Sequence, residues 1–248
     1  MISDQTRLLA HQLRLFGIHG HMERRAAEAL ATQMHPLEFL RLLLEDEALF
    51  RKDRVAKTLA TRAGFRSQAA IEDWDATYDR GIVKAKLKEL ATLAFFAGKE
   101  NLLLFGKTGE GKTHLAVALG RRLCAEGIST TFVPVNLLFE EIAAAKAAGK
   151  YLQLLQQLNK AKALVLDDFG LRSYTHDEAT ALVDLLEERY QRGVVIVTSQ
   201  VDNRGWTKLF EDPVVAEAIV DRLVHPSQRV VLKGGSYRER LANAKKPT

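Results

Sequence analysis

The first quarter of the chain repeats apolar residues at the three-to-four-residue spacing of amphipathic helices. Three segments show this pattern: 5–16, 22–34 and 36–63. Pro36 suits the first turn of the third segment, and Gly64 follows its end. The pattern predicts an all-helical N-terminal region.

Further along the chain, short continuous apolar runs alternate with segments of helical spacing. The runs predict strands that are buried on both faces, and they lie at 101–105, 130–135, 163–170, 194–200 and 228–234. Helices are predicted at 82–96, from Lys112 onwards, and at 136–149, 177–192 and 212–224. Strands that alternate with helices predict an α/β domain with a parallel sheet flanked by helices.

A glycine-rich turn connects the first predicted strand to the next helix. Gly106, Gly111, Lys112 and Thr113 match the phosphate-binding pattern G-x-x-x-x-G-K-[ST] in its required strand–loop–helix context. Backbone N–H groups of such a loop surround a phosphate, and the positive end of the helix dipole adds to the attraction. We expect Lys112 to reach the outer phosphates of a nucleoside triphosphate and Thr113 to ligate magnesium. The predicted contacts are Gly106, Lys107, Thr108, Gly109, Glu110, Gly111, Lys112, Thr113 and His114.

Two later strands end in polar side chains. Asp167 and Asp168 end the run "ALVLDDFG", at the edge where open α/β sheets bind ligands. We expect Asp167 to hold magnesium, usually through water, and Asp168 to orient or deprotonate the attacking water. The alternative is an ordinary acidic turn, which the P-loop upstream disfavours. The next strand ends in the polar tip Thr198, Ser199 and Gln200, which could read the γ-phosphate, although polar strand ends are common.

Composition narrows the class of protein. A chain of 248 residues with 47% hydrophobic content suffices for one large domain and a smaller one. Cys124 is the only cysteine, so no internal disulfide is possible. No apolar run approaches the roughly 20 residues that span a bilayer, and the N-terminus lacks the pattern of a signal peptide. We expect a cytoplasmic protein without a membrane partner.

The net charge of +5 is unevenly distributed. Residues 51–66 and residues 229–248 each hold six basic side chains against one acidic one, so the rest of the chain is net negative. A polyanion is the natural partner of such basic segments, although a solvated helix face has the same pattern. The candidate polyanion-binding residues are Arg51, Lys52, Arg54, Lys57, Arg62 and Arg66.

Over nearly its whole length the chain resembles the IstB-like transposition helper ATPases, relatives of the DnaC-type helicase loaders within the AAA+ class. The likeness lies in "LLAHQLRLFGIHGHME", in the P-loop segment, in "ALVLDDFG" and in "DPVVAEAIVDRLVHPSQRVVLKGGSYR". The P-loop alone would indicate only the superfamily, whereas the leucine-rich start and the "DRLVH…KGGSYR" ending are specific. The resemblance implies an AAA+ P-loop domain after a small all-α domain, ATP and magnesium as cofactors, and self-assembly.

The resemblance also implies roles for individual residues. Asp167 matches the magnesium-associated aspartate, and Gln200 matches the polar position called sensor 1. Arg222, in "DRL", matches the arginine finger that one subunit inserts into its neighbour's nucleotide site. Arg238, in "GSYR", resembles a late arginine with a sensor 2 role. The alternative for Arg222 is a helix-surface arginine paired with Asp221.

Two features depart from the common pattern of the family. The loop reads "GKTGEGKT" where relatives commonly have two prolines after the first glycine, so Lys107 and Glu110 alter its local charge. Its glycines and Lys112 are intact, and nucleotide binding should survive. Asp168 stands where many AAA+ enzymes have the longer Glu. We therefore expect slow ATP hydrolysis, which suits a switch better than a motor.

Three functions compete. The leading one is an ATP-regulated assembly on duplex DNA that recruits or activates a transposase, and the second is a DnaC-like helicase loader. The third, a P-loop kinase of small molecules, is disfavoured because the finger motif and the basic helical region would have no role. The predicted parts are a helical domain for DNA or partner contacts (1–66), a connector (67–80), an AAA+ ATPase domain (81–240) and a basic flexible tail (241–248).

Overall fold

The computed structural model of the protein describes residues 2–75, 77–225, 227–237 and 239–240. The chain forms two compact units. The helical unit comprises the residues up to Thr58 together with Ala125–Gly127, and the sheet unit comprises Leu59–Cys124 and the chain from Ile128 onwards. The functional boundaries expected at residues 66, 80 and 240 stay a prediction. The expected tail 241–248 and Arg238 lie outside the described residues.

Three helices make up most of the helical unit, as the apolar spacing predicts. They are α1 (Asp4–Gln12), α2 (Phe16–Ala31) and α3 (Pro36–Arg62), whose last four residues belong to the sheet unit. The prediction was wrong about the start of α2, which begins at Phe16 and runs through two glycines before Met22.

A buried carboxylate on α3 explains the early start of α2. Glu47 accepts hydrogen bonds from the backbone N–H groups of Gly17 and Ile18, at 2.8 and 3.2 Å. These N–H groups lie in the first turn, where donors lack partners within the helix. Burial acts to raise the pKa of Glu47, but the Arg51 guanidinium and the two N–H groups together lower it. The carboxylate therefore caps α2 in place of the usual side chain at the N-cap position.

The interior of the helical unit also contains an ion pair. Asp46 is buried and accepts two hydrogen bonds from the Arg25 guanidinium, at 2.8 and 2.9 Å. This guanidinium holds the pKa of Asp46 below its usual range. Ala10 and Met22 are the apolar side chains of the unit that are buried in the described structure. The described interior of this unit is thus small and partly ionic.

Five parallel strands form the sheet, in the order β2-β3-β4-β1-β5. Their bounds are β1 Asn101–Phe105, β2 Thr130–Pro134, β3 Ala163–Phe169, β4 Val194–Ser199 and β5 Ser227–Val231. All five residues of β1 are buried, and alternate residues enter two apolar clusters, with Leu103 in one and Leu102 in the other. The predicted parallel α/β architecture is confirmed.

Helices cover the sheet on the two sides. They are α4 Lys84–Ala91, α5 Ala94–Ala97, α6 Lys112–Ala125, α7 Val135–Ala147, α8 Tyr151–Lys160, α9 His176–Arg189 and α10 Pro213–Val224. The helix predicted at 82–96 is divided, because Leu93 between α4 and α5 adopts a φ of +60°. Helix α8 and a 3-10 helix at Asn203–Leu209 were not predicted. No helix in the described part of the chain is both long enough and apolar enough to cross a membrane.

Candidate functional site

The glycine-rich loop lies between the end of β1 and the start of α6, as its sequence context predicts. Gly109 and Gly111 have φ angles of +86° and +102°, a backbone region that L side chains rarely adopt. Lys112 is the first residue of α6, and its Nζ donates a hydrogen bond to the carbonyl oxygen of Lys107 at 2.9 Å. The loop therefore curls over the N-terminus of α6, where an anion meets backbone donors and the helix dipole.

Two hydroxyl groups converge on the carboxylate of Asp167. Thr113 Oγ1 donates to Asp167 Oδ1 at 2.9 Å, and Thr198 Oγ1 donates to the same oxygen at 2.6 Å. Asp167 is only 3% exposed, and this burial raises its pKa even though the two hydroxyls act to lower it. A buried carboxylate of this kind is stabilised by a cation. Thr113 and Asp167, which the sequence assigned to magnesium, are thus in direct contact.

Asp168 lies in an irregularity of β3, where the register with β4 shifts between Leu166 and Phe169. Its φ is +60°, and its backbone N–H donates to Thr198 Oγ1 at 2.9 Å. Thr198 therefore contacts both aspartates, whereas the sequence indicated it only as part of the polar tip and assigned a role to Gln200 alone. The signal that could have assigned Thr198 a role is its place near the end of β4, the strand beside β3.

Gln200 contacts the loop directly. Its Oε1 accepts a hydrogen bond from Thr108 Oγ1 at 2.9 Å. The contact brings the tip that follows β4 against the nucleotide loop, as the polar strand end indicates. Gln200, Gly106, Lys107 and Glu110 also line a cavity of about 350 Å³.

A cation–aromatic cluster packs against the loop. Arg80 is 2% exposed, and its guanidinium carbon lies 3.4 Å from the centre of the Trp74 ring and 4.5 Å from that of Tyr237. The backbone N–H of Tyr237 donates to the carbonyl oxygen of Gly109 at 3.0 Å. Burial, and then the charge of Arg80, lower the pKa of His114, whose ring faces Trp74. These residues are far apart in sequence, so no local motif indicates them.

Arg222 lies at the other end of the sheet from the loop of its own chain. Asn101, the first residue of β1, donates from Nδ2 to the carbonyl oxygen of Arg222 at 2.9 Å. The loop follows the last residue of β1, about 13 Å away along the strand. The Arg222 side chain pairs with Glu187 on α9 rather than with Asp221. The structure therefore does not bring Arg222 into its own nucleotide site.

The six basic candidates between residues 51 and 66 are exposed, but they divide between the two units. In the helical unit, Arg51 donates to the buried Glu47 at 2.7 Å and Lys52 to Glu126 at 2.9 Å. Arg54 and Lys57 belong to the same unit, whereas Arg62 and Arg66 belong to the sheet unit. The positive charge of Arg66 acts to lower the pKa of Asp167.

Comparisons with known proteins indicate the family and the fold of the chain. A protein named for ATP binding in insertion sequence IS21 of Pseudomonas aeruginosa is 34% identical over 231 residues, which are 93% of this chain and 87% of that relative. Another insertion-sequence protein named for ATP binding, from Sinorhizobium fredii, is 35% identical over 239 residues, 93% of this chain and 97% of the relative. The crystal structure of DnaI has a TM-score of 0.55 at 25% identity, over 68% of this chain and 90% of that one.

The fold is therefore an AAA+ P-loop domain preceded by a helical region, as predicted. The profile of the family described as IstB-like ATP binding protein matches residues 8–245, which include the loop, the aspartate pair and the arginine of α10. The chain belongs to the IstB-like ATP-binding protein family.

Proposed function

We propose that this protein is an ATP-dependent DNA-binding regulator that assembles on DNA and recruits or stimulates a transposase during insertion-sequence transposition. The observation that carries the proposal is the contact between Thr113 and Asp167 beside the P-loop. It occurs in a chain whose relatives are named for ATP binding in insertion sequences. The site supports a nucleotide-dependent activity, and the relatives support transposition as its setting.

The residues of the site fit a nucleotide bound with magnesium. Mg²⁺ prefers oxygen ligands and usually keeps waters and substrate phosphates among them. The Thr113 hydroxyl and the Asp167 carboxylate offer two oxygens, and the described residues contain no cluster of three or more His, Cys, Asp or Glu side chains that would hold a metal by itself. Bound there with ATP, the ion would supply neutralisation of phosphate charge.

The remaining site residues act on the phosphates and on water. Lys112 binds the outer phosphates once it leaves the carbonyl oxygen of Lys107. Asp168, whose backbone N–H is bound by Thr198, orients or deprotonates the attacking water. Gln200 contacts the γ-phosphate and, through its hydrogen bond with Thr108, links that phosphate to the loop. Slow hydrolysis follows from the short Asp168 side chain.

Arg222 acts in the nucleotide site of a neighbouring copy. Its distance from the loop of its own chain supports this assignment, because a finger that works within one chain would have to lie at the same end of β1 as the loop. To act there, Arg222 exchanges its exposed partner Glu187 for the phosphates of the neighbour. Hydrolysis then requires a homo-oligomer, in which each contact between copies completes one site.

Duplex DNA is the polyanion that we assign to the basic residues between 51 and 66. One copy has a surplus of five positive charges over this segment, too few for tight binding at physiological salt. ATP-driven assembly repeats the segment along the duplex and raises the affinity by avidity.

Helicase loading is the second candidate function, because the sequence also resembles the DnaC-type helicase loaders and the chain shares the fold of DnaI over part of its length. That likeness covers 68% of this chain, whereas the insertion-sequence relatives each match 93% of it at 34% and 35% identity. We therefore place transposition first. The partner encoded beside this gene distinguishes the two, since a transposase of the integrase type would support the proposal and a helicase would contradict it.

The coupling of ATP to DNA binding is tested by fluorescence anisotropy on random-sequence duplex DNA, as a salt series with and without ATP. ATP should strengthen DNA binding by the intact protein and have no effect on Lys112→Ala, which should also fail to bind nucleotide in a direct titration. Equal DNA affinity with and without ATP in the intact protein contradicts the coupling. Nucleotide affinity that survives Lys112→Ala contradicts the site itself.

The DNA surface is tested with Arg54→Ala combined with Lys57→Ala. Arg51 is left in place because it binds the buried Glu47, and its loss would disturb the fold. The double variant should flatten the salt dependence by about 0.9 in slope for each phosphate contact that it loses. The control is Arg24→Ala combined with Arg41→Ala, which removes the same charge from exposed positions of the same unit. Equal salt-dependence slopes in the two double variants would mean that DNA binds to another surface of the protein.

A further inference from the structure

Glu110 is a buried carboxylate inside a loop that has to receive a polyanion. The side chain is 3% exposed. Its carboxylate oxygen Oε2 accepts a hydrogen bond from the backbone N–H of Lys107 at 2.6 Å. A negative charge beside a phosphate site opposes phosphate binding by its field. Its presence there calls for a compensating role.

The contacts of Glu110 lie at the entry of the loop. A Cβ atom on Gly106 would lie 2.4 Å from Glu110 Oε2, so the carboxylate fills the space beside that glycine. The backbone N–H of Glu110 points back to the carbonyl oxygen of Lys107 at 3.4 Å, and Lys112 Nζ donates to the same carbonyl oxygen at 2.9 Å. The peptide groups on both sides of Lys107 are therefore held, one by the Glu110 carboxylate and the other by the phosphate-binding lysine.

We propose that Glu110 is a positioning residue for the nucleotide loop, which it acts on by accepting the Lys107 N–H and so fixing the first turn of the loop before nucleotide arrives. Preorganisation of this kind saves the ordering cost that binding would otherwise include. The inference rests on the proposed nucleotide site. It adds a residue whose contribution is the acceptor oxygen rather than the charge.

Two substitutions of Glu110 distinguish the effect of its hydrogen-bond acceptor from the effect of its negative charge. Glu110→Gln keeps an acceptor oxygen at nearly the same place and removes the charge, whereas Glu110→Ala removes both. The loss of one such hydrogen bond corresponds to about tenfold in affinity. We expect Glu110→Ala to weaken ATP binding about tenfold, and Glu110→Gln to bind at least as tightly as the intact protein.

A proline at position 107 gives a second, independent test. Proline has no N–H to satisfy and fixes φ near −65°, so it supplies by covalent restraint what Glu110 supplies by a hydrogen bond. In the presence of Glu110, however, the proline ring would replace the donor and meet the buried carboxylate. Lys107→Pro alone should therefore weaken ATP binding, and Lys107→Pro combined with Glu110→Ala should bind more tightly than either single variant.

The experiment is a titration of ATP into the full-length protein by calorimetry for each variant, with a thermal melt of each as the fold control. Lys107→Ala combined with Glu110→Ala is the matched control, since it removes the lysine side chain but keeps the orphaned N–H, and it should show no rescue. Additive losses in the proline double variant, or a Glu110→Gln protein as weak as Glu110→Ala, would overturn the proposal. Lys112→Ala is titrated in parallel, because retained binding there would instead overturn the nucleotide site.

Discussion

Thr198 links the two aspartates of the site through one oxygen atom. Its hydroxyl donates to the Asp167 carboxylate and accepts a hydrogen bond from the backbone N–H of Asp168, so both aspartates are held by a residue of the neighbouring strand. The left-handed backbone at Asp168 belongs to the same arrangement, and such strain is found where a function requires it. The hydroxyl thus links the residue proposed to hold magnesium to the residue proposed to orient the attacking water.

The role of Asp167 gives a prediction at this scale. Asp167→Asn keeps an oxygen for the Thr113 and Thr198 hydroxyls but loses the charge that magnesium needs. We expect ATP binding to persist and magnesium-dependent hydrolysis to fall by about 100-fold or more. Phosphate release, measured with magnesium and with a chelator, checks this.

The control for this variant is Asp177→Asn, an exposed carboxylate in the first turn of α9. It should hydrolyse ATP normally. Chelation should bring the intact protein and the control down to the rate of Asp167→Asn. If Asp167→Asn hydrolyses ATP at the normal rate, Asp167 does not belong to the catalytic site.

Local motifs assigned Thr113 and Asp167 to one magnesium site, and their side chains are in contact. The magnesium role itself stays a prediction. The sequence did not predict Arg80 or Tyr237, because their contacts with the loop depend on folding across distant segments. The same limit applies to Arg66, which was grouped by charge with its sequence neighbours, whereas its positive charge acts to lower the pKa of Asp167. Contacts of long sequence separation leave no periodic signal.

Among the elements, α2 shows how tertiary contacts override a local pattern. Its apolar repeat begins near Met22, but the Glu47 carboxylate extends the helix back to Phe16. Strands β1 to β4, by contrast, were predicted to within one residue at each end, because continuous apolar runs mark burial. The prediction was wrong about β5, which ends at Val231 instead of residue 234 and, as an edge strand, is only partly buried. Helix α8 was missed, although Leu155 and Leu158 lie buried on one side of it.

Two glycines of α2 provide a matched pair of substitutions. A Cβ atom at Gly17 would lie 2.6 Å from the carbonyl oxygen of Asp46 and 2.7 Å from the Cα of Glu47, whereas one at Gly20 would meet nothing within 4 Å. Gly17→Ala should destabilise the helical unit by about 1–3 kcal/mol, because the backbone has to move. Gly20→Ala should stabilise it by about 0.5–1 kcal/mol through helix propensity.

Hydrogen exchange of the α2 and α3 amides in the full-length protein measures both effects. Exchange should become faster in Gly17→Ala and slower in Gly20→Ala, with the amides of the sheet unit as the internal reference. The same change in both variants would mean that α2 and α3 do not approach each other as described.

At the scale of the whole molecule, the position of Arg222 predicts activity only between copies. Arg222→Ala should bind ATP normally and hydrolyse it more slowly, by up to roughly 10³-fold. The lost pair with Glu187 is exposed and worth at most about 1 kcal/mol, so the fold should survive. Mixing Arg222→Ala with Lys112→Ala should restore part of the activity, since each protein supplies what the other lacks.

The control for the mixing experiment is Arg192→Ala, which removes another exposed arginine that pairs with a glutamate. It should hydrolyse ATP normally alone. Failure of complementation at every ratio, in a mixture shown by sedimentation to co-assemble, would assign Arg222 to its own chain or to no catalytic role.

The separation of Arg222 from its own loop along β1 has a consequence for assembly. If Arg222 acts in the nucleotide site of the next copy, the interface between copies is head-to-tail. Head-to-tail interfaces produce either closed rings or open rows of subunits. A row always contains one complete site fewer than it has subunits, whereas a ring completes them all. The subunit at one end of a row would hold ATP without a finger to hydrolyse it. That subunit would retain ATP longest. The subunits of a row would therefore lose their ATP in an order set by their position.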